Sequence, residues 1–446
     1  EGVEHCVVKV DATEIPTDGG SAVVEWVRGF EVDMVVVLHA TKCAALLDDA
    51  QFGAGDESTR TPVVLVLGGT DVNIDAHLSG LARDEFKSRV DRCQAVVAFS
   101  ESMLEAAPAR SFNNVKTFVI PQGISDVVNM HAIERMRIRE DAYDPERARA
   151  DKELRKKVGV LPKDRVLLMV AGLRPVKDVL WLADAVQEIR DSNDYPLHPH
   201  HKFCILIVGP VLDEAYAETV RKRAANSNGA VVVAPPVGQE ELCALMRMAE
   251  GFLNTSESEG QSSAMLEAMA MGVPILARDI PGNRDLMMTV GKQNTVDTNF
   301  EVNMKKDGND YTLIASGILF CSYKGFQKCL VTIYEPGVDI DRKRMVAAAR
   351  GGAFRLSKNE KSIWLKVLNQ VPKVRPSDAN ELKPAGEAPV ADGGGEGGIT
   401  TGKNLARQLV ELQECLDEGL ITTEEYQVSR AAVIRRHGSL GSHGGH

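Results

Sequence analysis

The sequence predicts an α/β protein built from two doubly wound, Rossmann-like parallel-sheet domains. Three observations predict it. Short β-branched runs, apolar without alternation, recur through the first three quarters of the chain. Segments long enough for a helix and its loops separate them, and a densely charged stretch divides the runs into two series. Continuous apolar runs alternating with helices mark strands buried on both faces of a parallel sheet.

The first series is "DMVVVL" (33–38), "PVVLVL" (62–67), "QAVVAF" (94–99) and "VKTFVI" (115–120), which places an N-terminal domain over 1–128. Residues 129–160 mix both signs of charge at high density and read as a solvated helical connector. The second series, "VLLMVA" (166–171), "FCILIV" (203–208), "AVVVA" (230–234), "FLNTS" (252–256) and "VPILA" (273–277), belongs to a C-terminal domain over 161–371. Within it, 289–311 is polar and aperiodic and reads as an inserted loop. Residues 372–402 collect Pro and Gly and read as a flexible linker. Beyond them, over 403–436, Leu405, Leu409, Leu412 and Leu416 form a helical stripe, Gly419 stands at a C′ position, and Thr422 with Glu425 makes a capping box. That pattern predicts a helical hairpin too small to hold a core alone.

Composition excludes several classes of function. The chain of 446 residues carries 63 acidic against 52 basic residues, a net charge of −11, so no global positive field favours nucleic acid as the main partner. No apolar run reaches the roughly 18 residues of a membrane span. Eight scattered cysteines without a Cys-x-x-Cys pair read as reduced thiols of a cytoplasmic chain. His198, His200 and His201 lie together in "LHPHH" without an acidic or Cys partner, and Asp339 and Asp341 precede a helix they are suited to cap, so no metal site is expected. The chain opens on Glu1, which predicts a removed N-terminus or a fragment.

The stretch from Asn254 to Asn283, "NTSESEGQSSAMLEAMAMGVPILARDIPGN", carries the most chemistry. A strand ends at Thr255, a polar loop follows, Ser262 caps a helix containing Glu267, Gly272 ends it, and Pro274 leads the next strand. Loop and helix start thus lie at the carboxyl edge of a parallel sheet, where open α/β sheets bind ligands and helix N–H groups suit phosphate. Glu259 and Glu267 are carboxylates able to accept from the vicinal hydroxyls of a sugar on either side of that phosphate. In "VAGLRPVKDVLWLADAVQEI", Gly172 makes a turn and Val179, Leu182, Ala183 and Val186 line the buried face of the helix after it. Arg174 and Lys177 stand at that helix start, where the dipole disfavours cations, and a bound diphosphate supplies the reason for them.

These blocks resemble the retaining glycosyltransferases of family 4, glycosyl transferases group 1, which have the GT-B fold. Glu259-x7-Glu267 with "LEAMAMGVPILARDIPGN" resembles the donor-site signature, and "GLRPVKD", "IVGP" (207–210), "PPVGQEELCALM" and "IPQGI" (120–124) follow in that family's order. Within it, "LGGTDVNIDA" (67–76), "GLRPVKD" and "ARDIPGN" are most similar to the glycosyltransferase 1 domain-containing protein 1 group. The resemblance spans about 5–285, with echoes at "ASGILF" (315–320) and "SKNEKSIWLKVL" (357–368). It implies transfer of a sugar from a nucleotide diphosphate sugar, with retention and without an obligatory metal or other cofactor. Three Trp and seven Tyr offer little surface for stacking on an extended polysaccharide, so the expected acceptor is a small molecule or glycan. By the same resemblance Glu267 holds the ribose and Glu259 the donor hexose, Gly260 and Gln261 offer backbone N–H groups, and Arg174 and Lys177 neutralise the diphosphate, with Gly172 beside them. Glu259, Arg174, Lys177 and Asp71 form the expected catalytic set, and His39, Gly69 and Thr70 fall on the acceptor side.

The chain departs from the family pattern in three places. Arg174 and Lys177 are three apart where many members have five. "GGTD" (68–71) ends the strand after which members carry a His, and neither His39, one strand earlier, nor Asp71 inherits that role from position alone. Thr70 and Asp71 fit an acceptor role and a helix-capping turn equally. The family's first strand and glycine-rich loop have no counterpart before "CVVKVD", so part of the acceptor side is expected to be missing. Two rival functions follow: an impaired GT-B protein that binds nucleotide sugar or partners, and a nucleotide-sugar epimerase of the same fold. The C-terminal hairpin resembles a SHOCT module, which implies oligomerisation or docking.

Overall fold

The computed structural model describes residues 27, 34–48, 61–137, 144–192, 202–292, 306–307, 311–314, 316–334 and 339–370. The expected linker 372–402, the hairpin 403–436, the histidine cluster 198–201, Cys6 and Cys415 lie outside them. The first sheet contains β1 (Val35–Leu38), β2 (Val63–Val66), β3 (Ala95–Ala98) and β4 (Lys116–Val119), parallel and adjacent in sequence order. The second contains β5 (Arg165–Val170), β6 (Phe203–Val208), β7 (Val231–Ala234), β8 (Gly251–Asn254), β9 (Ile275–Arg278), β10 (Lys306–Asp307), β11 (Tyr311–Ile314) and β12 (Gly317–Phe320). Its order is β10-β11-β12-β9-β8-β5-β6-β7, parallel from β12 to β7 with an antiparallel extension through β11 and β10. Two Rossmann-like sheets of this kind make the GT-B fold.

The second sheet and the central strands of the first are covered on both faces, which is why those strands are apolar without alternation, whereas Val36 and Leu38 of the edge strand β1 stay exposed. In β5, Val166 and Leu168 enter one core cluster while Leu167 and Met169 enter the cluster on the opposite face. The same division separates Cys204 and Leu206 from Ile205 and Ile207 in β6. Burial of this kind stabilises by roughly 25 cal/mol per Å² of apolar surface, so a polar residue at either set of positions is costly.

Helix boundaries follow local chemistry. Between the sheets run two helices, Asp126–Arg137 and Pro145–Lys157, in the region read as a connector. The second starts where Asp144 accepts from Glu146 N–H and Arg147 N–H at 3.0 and 3.1 Å, with Pro145 in its first turn and Arg155, Lys156 and Lys157 at its negative end. After β5 the helix expected near 177 begins only at Ala183. Pro175–Lys177 is a single 3₁₀ turn, and Asp178 at φ +40° breaks continuity, while Val179, Leu182, Ala183 and Val186 are still all buried. The loop expected at 289–311 is shorter at its ends. The helix Pro281–Lys292 extends into it, β10 and the start of β11 lie within its far end, and 293–305 are outside the described residues.

One long helix, Asp339–Gln370, joins the two halves. Ala349, Ala353 and Leu356 pack into the second sheet's core, and Ser357 Oγ accepts from Ile124 N–H at 3.3 Å. Further on, Ile363, Trp364 and Val367 pack against Val64, Val66, Ala95 and Val97 of the first sheet. Residues placed by sequence in the C-terminal domain therefore complete the core of the N-terminal sheet.

Val367 is 1% exposed within that junction, and a carboxylate there has no partner to compensate its desolvation. Val367→Asp is expected to lower unfolding free energy by at least roughly 3 kcal/mol, measured by urea denaturation.

Candidate functional site

The chain runs β5, β6, β7 outward across the second sheet and then returns to place β8 on the other side of β5. The connections that leave the carboxyl ends of β5 and β8 diverge there, and a crevice opens between them. The segment after β5 carries Gly172, Arg174 and Lys177; the segment after β8 carries Glu259, Gly260 and Gln261. A cavity of about 270 Å³ fills the crevice, lined among others by Gly172, Lys177, Pro210, Glu259, Gln261 and Ser263.

Lys177 reaches across it, its Nζ 2.5 Å from Glu259 Oε1. The same carboxylate accepts from Ser256 Oγ at 2.7 Å, and Asn254 Nδ2 lies at 3.5 Å. The turn that presents Lys177 is fixed from two neighbouring strands. Thr255 Oγ1 donates to Lys177 O at 3.1 Å. Arg278 pairs with Asp178 at 3.0 Å, donates to Thr255 O at 3.2 Å and lies over the Trp181 ring at 4.3 Å. On the other wall Ser262 caps the helix Ser263–Ala270, accepting from Met265 N–H at 3.3 Å, so free N–H groups and the positive helix end face the cavity mouth. Glu267, further along that helix, is half-buried; burial raises its carboxyl above the ordinary range, opposed by a hydrogen bond from Gln239.

The first sheet supplies the facing wall. Gly69 stands at φ +97°, open to glycine, and a Cβ there would lie 2.5 Å from Gly260 N. The two glycines let the "GGTD" turn touch the 257–261 loop. Asn73 Nδ2 donates to Ser258 Oγ at 3.3 Å and Glu259 O at 3.2 Å, and Gln122 N–H donates to Gln261 Oε1 at 2.6 Å. His39 is buried at φ +80°, a costly backbone for a residue with a Cβ. Its Nε2 is 2.7 Å from Thr70 Oγ1 and its Nδ1 accepts from Lys42 N–H at 3.3 Å, which fixes an Nε2–H tautomer and leaves the Thr70 hydroxyl free to donate onward. Burial lowers the imidazole's pKa, against the opposing field of Asp71, while Lys42 and Arg174 lower it further. A Cβ on Gly68 would lie 2.7 Å from His39 Cδ2. The imidazole therefore occupies the space that a side chain at position 68 would take.

Of the expected donor and catalytic residues, Gly172, Lys177, Glu259 and Gln261 line the cavity, while Glu267 and Gly260, like Asp71 and Arg174, are not among its lining residues. Asp71, read from sequence beside the reacting atoms, is wholly buried, and its oxygens accept from Ala40 N–H at 2.9 Å, Gly68 N–H at 3.0 and 3.1 Å, and Val72 N–H at 3.0 Å. Backbone donors from both strand ends occupy both of its oxygens, so it holds the His39 and Gly68 turns together and does not face a reactant. Arg174 does not line the 270 Å³ cavity; its Nε is buried without a hydrogen-bond partner and its charge is felt at His39. Ser256, Arg278, Gln239 and Asn73 escaped sequence reading. Ser256 lies inside the "SESEG" motif, and Asn73, Gln239 and Arg278 lie inside "LGGTDVNIDA", "PPVGQEELCALM" and "ARDIPGN", but those three segments are far apart in the chain and only folding brings the side chains to the site.

Fold and site together define the class: a GT-B protein with a crevice at the carboxyl edge of its second sheet. Residues 164–299 match the sequence profile of the family described as Glycosyl transferases group 1. The chain is similar to Glycosyltransferase 1 domain-containing protein 1 of Xenopus tropicalis, 29% identical over 266 residues, which cover 55% of this chain and 68% of that protein. It is also 26% identical over 226 residues to the putative teichuronic acid biosynthesis glycosyltransferase TuaC of Bacillus subtilis (strain 168), 51% of this chain and 49% of that protein. In structure it is similar to HepE of Anabaena, solved in complex with UDP-glucose, with a TM-score of 0.54, 15% identity, and coverage of 78% of this chain and 81% of that one. The trehalose-6-phosphate synthase OtsA gives a TM-score of 0.55 at 12% identity, covering 79% and 75%. Among the described residues no helix is long and apolar enough to cross a membrane.

Replacing Asp71 by Asn turns one acceptor into a donor aimed at backbone N–H groups. Asp71→Asn is expected to cost about 2–3 kcal/mol of stability, read from the shift in the urea unfolding midpoint.

Proposed function

We infer that the protein transfers a sugar from a nucleotide diphosphate sugar to a hydroxyl acceptor, with retention at the anomeric carbon. The observation that carries the reading is the Lys177–Glu259 pair at the mouth of a helix-capped cavity at the β5/β8 switch point. The matched profile over 164–299 and the similarity to proteins named glycosyltransferases support it.

In this reading the diphosphate lies across the start of the helix Ser263–Ala270, and the ribose hydroxyls donate to Glu267. Lys177 leaves Glu259 for the phosphate oxygens, which frees that carboxylate for the hexose hydroxyls. Gly172, Gly260 and Gln261 offer backbone N–H groups without side chains in the way at the glycines. The bond from the anomeric carbon to the diphosphate oxygen breaks while the acceptor oxygen bonds to the same face, and the acceptor proton passes to the departing diphosphate. Charge accumulates on the leaving group, so a fixed cation and oriented N–H groups lower the barrier without a metal. His39, filling the space above Gly68, stands in for the histidine that the resemblance places after β2, with Thr70 relaying its hydrogen bond. Arg174 supports this wall by its field, and Asp71 positions it.

One observation favours the second reading, a binding protein without turnover: of the expected cation pair only Lys177 lines the cavity. A panel of UDP-, GDP- and ADP-sugars, with release of nucleoside diphosphate as readout, decides between them. Turnover unaffected by EDTA is expected, with kcat/KM reduced about 10²–10³-fold in Lys177→Ala. Binding without turnover for every donor would leave only the binding reading standing.

Glu267 supplies a pH test. Its folded-state pKa is raised by burial, so the ionised carboxylate costs the folded state stability that is recovered as pH falls through that pKa. Glu267→Gln is therefore expected to raise the melting temperature at pH 7, with the difference from the native protein closing toward acid pH. The same variant loses nucleotide affinity, and the native protein loses it on acidification before an ordinary carboxylate would titrate. Isothermal titration with UDP across pH checks both.

A further inference from the structure

The segment 257–259 is a wall between two cavities, and Glu259 lines both. Behind it a second cavity of about 350 Å³ opens between the two halves of the molecule. That is at the small end of the roughly 300–1,000 Å³ spanned by ligand pockets. The first half contributes Asn73, His77 and Ser102, and the second contributes Glu257 and Ser258.

The chemistry of this lining differs from that of the crevice in front. Among its lining residues there is no Lys or Arg, while Glu257 and Glu259 are both present, so a phosphate or carboxylate would meet like charge and no cation. The polar groups are arranged for hydroxyls. Asn73 spends its N–H₂ group on Ser258 Oγ and Glu259 O, which leaves its carbonyl to accept and the Ser258 hydroxyl to donate. His77 donates from Nε2 to Ala106 O at 2.8 Å, leaving Nδ1 as an acceptor. Ser102 adds a hydroxyl, and Met103 and Ile280 supply apolar surface between these groups. Alternating donors and acceptors around apolar patches match a molecule with hydroxyls on its edge and C–H groups on its face.

We propose that this second cavity binds an uncharged, hydroxyl-rich small molecule, a sugar or polyol, and that its occupancy tightens nucleotide binding in the crevice in front. The coupling follows from the walls. Both halves line the cavity, and the loop they share carries Glu259, so an occupant favours the arrangement in which Gly69 meets Gly260. By linkage the nucleotide then favours the occupant by the same factor. The binding requires no turnover, so it stands even where the transferase reading fails.

The test uses the full chain and saturation-transfer NMR with glucose, N-acetylglucosamine and myo-inositol, each against glucose 6-phosphate. At least one neutral probe is expected to bind, with the phosphorylated sugar at least about tenfold weaker. Ser102→Trp and, separately, Ala106→Trp fill the cavity and are expected to weaken the neutral probe at least about tenfold, while Glu267→Ala retains it. Ser258→Ala, which removes a hydroxyl without adding volume, should weaken it by about threefold to tenfold and serves if the larger substitutions unfold the chain. UDP titrated in the presence of the neutral probe should bind more tightly. Failure of every neutral probe, equal binding of glucose 6-phosphate, unchanged UDP affinity, or loss of the probe in Glu267→Ala but not in the cavity variants each overturns the proposal. Glycosylation of the bound probe in the presence of nucleotide sugar identifies it as an acceptor, and its recovery unchanged identifies an effector; the site stands in both cases.

Discussion

β5 and β8 are neighbours in the second sheet although β6 and β7 lie between them in the chain, and that reversal of strand order is the constraint on which the site depends. Where connections diverge to either side, no loop or helix can cover the carboxyl ends of both strands. The resulting crevice gathers Lys177 from one strand end and Asn254, Ser256 and Glu259 from the other. An ion pair this close in a half-buried place would be a modest contributor to stability by itself. Its value lies in geometry, because Thr255 and Arg278 hold the lysine's turn from β8 and β9 before any ligand arrives.

The facing wall solves a different problem, close approach between two halves that have no strand in common. Gly69 and Gly260 meet backbone to backbone, and a methyl group on Gly69 would collide. Asp71 makes the turn rigid from beneath by collecting N–H groups from β1, β2 and its own helix start. The strained backbone at His39 is held by the same network, with the imidazole kept largely uncharged by burial. Strain of this sort persists only where the surroundings fix it. Here those surroundings include a buried carboxylate and the helix Thr70–Asn73.

Much of the fold was legible because buried parallel strands have a composition of their own. All nine apolar runs read from sequence lie on β1 to β9, with bounds that move by a residue or two. The helix after β5 starts later than its periodicity predicts, because the spacing of Val179, Leu182 and Val186 persists through an irregular turn at which a left-handed Asp178 breaks the helix. β10 and the first residue of β11 lie within a polar stretch, since an antiparallel edge needs no continuous apolar run. The site divides similarly. Gly172, Lys177, Glu259 and Gln261 announce themselves through local spacing, and the structure brings them to one cavity. Arg174 and Asp71 share that local pattern yet stand away from it, since a residue's neighbours in sequence do not fix which way its side chain leaves a turn.

Sequence by itself determined the layered α/β architecture, the two series of strands, and the strand–loop–helix segment bearing Glu259 and Glu267. These are set by short-range preferences: apolar runs for strands, Ser262 for a helix start, Gly272 for its end. Only the tertiary structure decided that His39 fills the space above Gly68, that Arg278 supports Lys177, and that Val367 of a distant helix completes the first sheet's core. Those relations join residues dozens to hundreds of positions apart. They depend on where packing brings the backbones to rest, which no local pattern encodes.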